Sequence, residues 1–430
     1  MTEPDLNFDT LALHGGYTPD AEAHATSVPI YQTTSYVYDS ADDAASQFAL
    51  EKPGQLYTRF TNPTTAVLED RLALLEGGVG AVAVSSGMAA INYALENLTV
   101  AGDHIVAANT LYGGTHNLLA TAYPRRGVTT TFVDIDDWVA VTNAIQANTK
   151  ALYVELIGNP NSNIADLTVL ADIAHEAGIP LIVDNTFATA YLSRVFDFGA
   201  DIVVYSATKF LSGHGAALGG VIVDSGHFNW TQNDKFPGLT TPDESYHGLV
   251  YTEKFGDAAY INRIRYNLLR DSGATLSPFN AWLILLGLET LSLRVQRHVD
   301  NAKRVAQFLS QHPAVAWVNY AGLTNNRYYE RAQQYLPKGP GSIFTFGVVG
   351  GAEAGKKVLD SVKVFTHFAS SGEGKSSILH PASTSHAQLS EEELIASGTR
   401  PETLRLSVGI EDISDLLADL DQALRFATGD

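Results

Sequence analysis

Chemistry in this chain is best sought where a polar side chain closes an apolar run. In the stretch VVYSATKFLSGHG, Val203 and Val204 lead through small residues to Lys209, with glycines around His214 beyond it. An ammonium at the end of a buried-looking strand is costly unless it is paired or chemically changed. Lys209 therefore reads as a snorkelling surface residue, a phosphate ligand or a nucleophilic amine, and for SATK in isolation the first is the ordinary outcome. Ser206 and Thr208 flank it with hydroxyls. Upstream, the fully apolar run of IPLIVDNT ends at Asp184. A turn or helix cap is the common fate of such an acid, and an acid at the floor of a site, facing a ring nitrogen, is the sharper one.

Four further positions belong with these. In VSSGMAA, Ser85, Ser86 and Gly87 mark a strand-to-helix junction whose free N–H groups suit a phosphate, although small residues there also serve tight packing. Tyr112 in TLYGGT can stack on a flat ring or simply pack. Asn159 in GNPNSN can donate to a phenolic oxygen or merely form a turn. In LRLSV, Leu404, Leu406 and Val408 alternate with Arg405 and Ser407, which aims a planar guanidinium away from the apolar face. Such a group suits bidentate capture of a carboxylate, and a surface salt bridge is the competing reading. An amine able to form a Schiff base, hydroxyls able to hold phosphate and an acid able to keep a pyridine nitrogen protonated share one explanation: pyridoxal 5'-phosphate.

The elements that must position these residues are legible from about residue 80. AVAVSS, HIVAAN, KALYVELIGNPNSN, IPLIVDNT, ADIVVYSATK and GGVIVDSG alternate with helix-like segments. Continuous apolar runs alternating with helices indicate a mostly parallel sheet covered on both faces, with ligands beyond the carboxyl ends of its strands. Residues 1–60 form a polar, turn-rich arm too aromatic for a loose tail, as in PIYQTTSYVY, which suggests packing on another subunit. The expected division is this arm at 1–60, a cofactor-binding domain at 61–275 with an insert near 226–266, and a C-terminal domain at 276–430. One long apolar helix is expected from Pro278 onward.

Composition narrows the function further. The 430 residues carry 27 Lys plus Arg against 47 Asp plus Glu, a net charge of −20. That field repels nucleic acid and anionic membrane surfaces, so small-molecule substrates are expected and neither of those partners. With no Cys, there is no disulfide, thiolate metal site or cysteine nucleophile, and no metal is expected. No signal-like or membrane-length apolar run is evident, and a cytoplasmic location is expected.

The segments YTRFTNPT, SSGMAAI, LYGGT, VDNTFAT, SATKFLSGHG, HPASTSH and LRLSVGIED together resemble the Cys/Met metabolism family of pyridoxal-phosphate enzymes across nearly the whole chain. The resemblance implies an α/β, aminotransferase-like fold (fold type I): a mostly parallel seven-stranded sheet domain and a smaller C-terminal α/β domain, assembled as a homotetramer, a dimer of dimers. It implies Lys209, Tyr112 and Asp184 as catalytic residues. Tyr57, Arg59, Ser86, Gly87, Met88, Asn159, Thr186, Ser206 and Thr208 would join them in holding the cofactor, Tyr57 and Arg59 from the neighbouring subunit. Asn159, Ser370 and Arg405 would bind substrate. The implied reaction is a transferase's γ-replacement in methionine biosynthesis, O-acetyl-L-homoserine and sulfide giving L-homocysteine and acetate, with a cystathionine γ-synthase or γ-lyase reaction as the alternative. The chain departs from its nearest kin with SSGE at 370–373 in place of NVGD, Ser385 in place of threonine, and Gly114 where lyases of the family carry cysteine.

Overall fold

The computed structural model describes residues 6–384, 392, 394 and 398–429. Ser385 and His386 of HPASTSH lie outside the described residues.

Seven strands build the larger sheet: β1 (Gly80–Val84), β2 (His104–Ala108), β3 (Thr129–Val133), β4 (Thr149–Glu155), β5 (Leu181–Asp184), β6 (Ile202–Tyr205) and β7 (Gly220–Asp224). Their spatial order is β1-β7-β6-β5-β4-β2-β3. β7 runs antiparallel to both β1 and β6, and the remaining pairs are parallel. β2, β6 and β7 are buried along their whole length, as strands covered on both faces must be. This is the α/β sheet that the apolar runs predict.

Local chemistry explains the helices that feed it. The helix Pro63–Glu76 begins at Asn62, whose side chain accepts from the N–H groups of Thr64 and Thr65, and it ends at Gly77 in the left-handed conformation (φ 79°). Proline at the first helical position loses nothing, since its N–H would have had no partner there. The helix Gly87–Glu96 starts where the Ser86 hydroxyl accepts from Ala89 N–H.

A second sheet, in the order β10-β11-β9-β8, comprises β8 (Val315–Asn319), β9 (Ile343–Val348), β10 (Ser377–Leu379) and β11 (Thr403–Ser407) and is antiparallel throughout. The expected single helix from Pro278 is two, Pro278–Glu289 and Leu291–Gln311, parted at Thr290 (φ −115°, ψ 15°). Thr290 N–H donates to the Gly287 carbonyl at 3.3 Å and its carbonyl accepts from Arg294 N–H at 3.0 Å, while its hydroxyl accepts from Arg294 Nε. The second helix joins two cores: Leu291, Val295 and Val299 pack with the larger sheet, while Ala302, Val305, Ala306 and Leu309 pack with the smaller one. Among the described residues no helix is long and apolar enough to cross a membrane.

Candidate active site

The carboxyl ends of β1, β4, β5 and β6 converge on one cavity of about 280 Å³, and β11 closes it from the smaller sheet. Ser86, Gly87, Met88, Tyr112, Asn159, Asp184, Thr186, Ser206, Thr208, Lys209, Ser370 and Arg405 all line it. Residues expected together from widely separated parts of the sequence are thus brought to one place. Tyr57 and Arg59 are not among them: Tyr57 is exposed, and Arg59 donates to the Arg270 carbonyl at 2.6 Å with its guanidinium 5.4 Å from the Tyr57 ring centroid.

Lys209 follows β6 by a short turn held by the bond from Lys209 N–H to the Ser206 carbonyl, 3.1 Å. Its amine donates to Ser370 Oγ at 3.0 Å. Burial pulls the amine below the ordinary lysine range, and the Arg405 charge adds to this while Glu373 opposes it. Asp184 ends β5, accepting from Thr186 N–H at 2.9 Å and from the Tyr153 hydroxyl at 3.4 Å. It keeps some surface toward the cavity yet lies deep in the protein, and burial raises its carboxyl.

Arg405 is buried on the face of β11 opposite Leu404 and Leu406, as the alternation in LRLSV predicts. Its guanidinium donates to Asn159 Oδ1 at 2.7 Å and Ser371 Oγ at 3.3 Å, both neutral acceptors. Burial brings Arg405 down to about 10, with Glu155 and Tyr112 acting in the other direction.

The helix that begins at Gly87 leaves its first N–H groups, those of Gly87 and Met88, without acceptors in the helix, which suits an anion. A Cβ at Gly87 would sit 2.6 Å from Ser206 Cβ, so only glycine admits this close approach. Thr208 is partly engaged already, its hydroxyl donating to the Gly219 carbonyl (3.2 Å) and accepting from Gly219 N–H (3.1 Å). Thr186 Oγ1 accepts from Ser206 N–H at 2.8 Å, which ties the ends of β5 and β6 together.

Sequence reasoning missed Glu155. It ends β4, stands opposite Asp184 in the strand register, and accepts from Tyr112 N–H at 2.6 Å. Burial, then Asp184, holds its carboxyl well above the usual range. The signal was the same as for Asp184, an acid closing an apolar run, here in KALYVE. Ser371 and Leu218 also line the cavity unforeseen.

A buried amine, a buried acid, an anion-binding helix start, adjacent hydroxyls and an exposed tyrosine ring fit pyridoxal 5'-phosphate in size and donor type. Among the described residues no group of three or more metal-ligating side chains occurs.

Comparison with known proteins agrees with this chemistry. The chain is 48% identical over 423 residues to a homocysteine synthase of Schizosaccharomyces pombe, covering 98% of this chain and 99% of that one. It is 47% identical to an O-acetyl-L-homoserine sulfhydrylase of Leptospira meyeri over 97% of this chain and 96% of the other. A Campylobacter jejuni protein assigned as an O-acetylhomoserine (thiol)-lyase, solved with a pyridoxyl-lysine phosphate, superposes with a TM-score of 0.95 at 42% identity, covering 98% of this chain and all of that one. The sequence pattern of the Cys/Met metabolism PLP-dependent enzymes matches residues 9–425, and the chain belongs to that family.

Proposed function

We propose that the chain is a transferase catalysing γ-replacement: O-acetyl-L-homoserine and sulfide give L-homocysteine and acetate. The observation that carries the reading is the pairing of a depressed lysine amine with a buried arginine whose donors meet, among the described residues, only neutral acceptors, in a cavity shared with a strand-end acid. The names of the S. pombe and L. meyeri relatives support the choice of substrate.

In this reading Arg405, backed by Asn159, receives the substrate α-carboxylate through charge-assisted hydrogen bonds. Lys209 would carry the cofactor covalently. Ser86, Gly87, Met88, Ser206 and Thr208 would hold its phosphate, Asp184 its ring nitrogen, Asn159 its ring oxygen, and Tyr112 and Thr186 its ring. Pyridoxal phosphate, when bound, supplies an electron sink for the charge left when the α-proton departs. The Lys209 amine, freed by the incoming substrate, takes the α-proton and then moves the β-proton. The Cγ–O bond breaks and acetate leaves; hydrosulfide forms the Cγ–S bond, and Lys209 returns the protons. The net charge of −20 does not draw an anionic nucleophile inward, so local positive potential at Arg405 must do so.

The proposal extends to assembly and place: a cytoplasmic homotetramer in which residues 1–60 reach a second copy, Tyr57 and Arg59 complete its phosphate site, residues 61–275 hold the cofactor and residues 276–430 form the C-terminal domain. The exposure of Tyr57, and the absence of both residues from this chain's own cavity lining, support the contact with a second copy. Supplying O-acetylhomoserine, O-succinylhomoserine or cystathionine, each with sulfide or cysteine, tests the reaction. Homocysteine from the acetyl ester and sulfide at the highest kcat/KM is expected; cystathionine formation or cleavage dominating instead would replace this reading.

A further inference from the structure

Residues 370–374 run beside the loop that carries Lys209, held to it along its length. Lys209 Nζ meets Ser370 Oγ at 3.0 Å, and Gly374 N–H donates to the Gly213 carbonyl at 3.0 Å. Between them Gly372 (φ 75°) lies so close to Phe210 that a Cβ would come 2.6 Å from the ring. Its N–H donates to Ser407 Oγ at 3.0 Å, which fastens the strap to β11 as well. The strap thereby fixes where Glu373 goes. Its half-buried carboxylate lies over Gly215, one oxygen 2.5 Å from the position a Cβ would take there. Gly215 is exposed, and Leu218 in the same loop lines the cavity, so this carboxylate stands at the rim. Among the described residues no cation pairs with it.

Arg405 donates to Asn159 Oδ1 and to Ser371 Oγ, and Ser371 belongs to the same strap. A substrate whose α-carboxylate meets Arg405 and whose amine lies at Lys209 sits against Ser371 and Ser370, two and three positions from Glu373 on the same strap. We propose that Glu373 sets the charge selectivity of the site: it turns away donors and nucleophiles bearing a second carboxylate and leaves neutral acyl esters and small thiols. This rests on the γ-replacement reading for the identity of the donor, although the preference for one carboxylate over two does not require turnover.

The test uses the full-length holoenzyme and two unreactive amino acids of equal chain length, L-norleucine and L-2-aminoadipate, titrated through the cofactor absorbance. The wild type is expected to bind norleucine more tightly. Glu373→Gln is expected to narrow the ratio of the two Kd values about tenfold, the scale of one partly screened charge. Glu373→Asp, which keeps the charge, is expected to preserve most of the ratio. Should the glutamine variant misfold, raising ionic strength in the wild type is expected to narrow the same ratio through screening. A ratio that neither Glu373→Gln nor salt changes, or that Glu373→Asp abolishes as fully as Glu373→Gln, overturns the inference. Absence of homocysteine from the wild type would overturn the reaction reading alone, because the two Kd values are still measured.

Discussion

Burial and the Arg405 guanidinium both draw the Lys209 amine below the ordinary lysine range, and Glu373 resists them. Capture of pyridoxal phosphate by the apoprotein needs the neutral amine, so its rate should reach half-maximum below the pH typical of a lysine. Removing the opposing carboxylate in Glu373→Gln should move that midpoint lower still. Lys209→Ala is expected to cut homocysteine formation at least about a thousandfold. In Arg405→Lys the planar fork is lost, so KM for the amino-acid substrate should rise about ten- to a hundredfold, with a smaller change in kcat. Steady-state kinetics on the two variants read both effects. Lys209, Asp184 and Arg405 were legible because each is a charge set against an apolar pattern. Glu155 carried the same mark and was overlooked beside the sharper cluster downstream. The bond from Lys209 to Ser370 spans 161 positions, a pairing that spacing within a short motif cannot reveal.

At the scale of elements, strand ends deliver the polar groups and the first helical turn after β1 prepares an anion site. Gly87→Ala pushes a methyl group into Ser206, so equilibrium dialysis should find pyridoxal phosphate bound about tenfold more weakly. Behind the site, Glu76 at the end of the helix Pro63–Glu76 accepts from the Tyr205 hydroxyl and from Asn185 Nδ2. Burial pushes Glu76 up to about 8 and Asp224, at the end of β7, up to about 7. Below their unfolded values both acids are protonated folded or unfolded and contribute no slope. As pH rises toward the folded values, the unfolded chain ionises first, so stability falls. The melting temperature of the apoprotein should therefore decline between about pH 5 and pH 8, less steeply in Glu76→Gln. The sheet was readable because parallel strands buried on both faces are uninterrupted apolar runs. The break at Thr290 was not, because both flanking segments keep helical character and the backbone bonds of Thr290 continue across it, its N–H donating to the Gly287 carbonyl and its carbonyl accepting from Arg294 N–H.

For the whole molecule, Tyr57 and Arg59 are exposed on the N-terminal arm, and the proposed assembly has a second copy meet them. Neither Lys209→Ala nor Arg59→Ala should be active alone. Unfolding and refolding the two variants together should recover activity, since mixed dimers then contain one intact site. Light scattering should report four chains per particle. The acidic surface, net −20, also bears on the nucleophile: added salt should speed reaction with hydrosulfide more than with a neutral thiol. Nothing in one chain's sequence discloses which cavity an exposed residue completes, and the proposed relation rests on the resemblance. The most direct measurement is formation of L-homocysteine by the purified protein loaded with pyridoxal phosphate and given O-acetyl-L-homoserine and sulfide. The account predicts homocysteine and acetate in equal amounts, abolished in Lys209→Ala; no homocysteine, or equal yield from that variant, would contradict it.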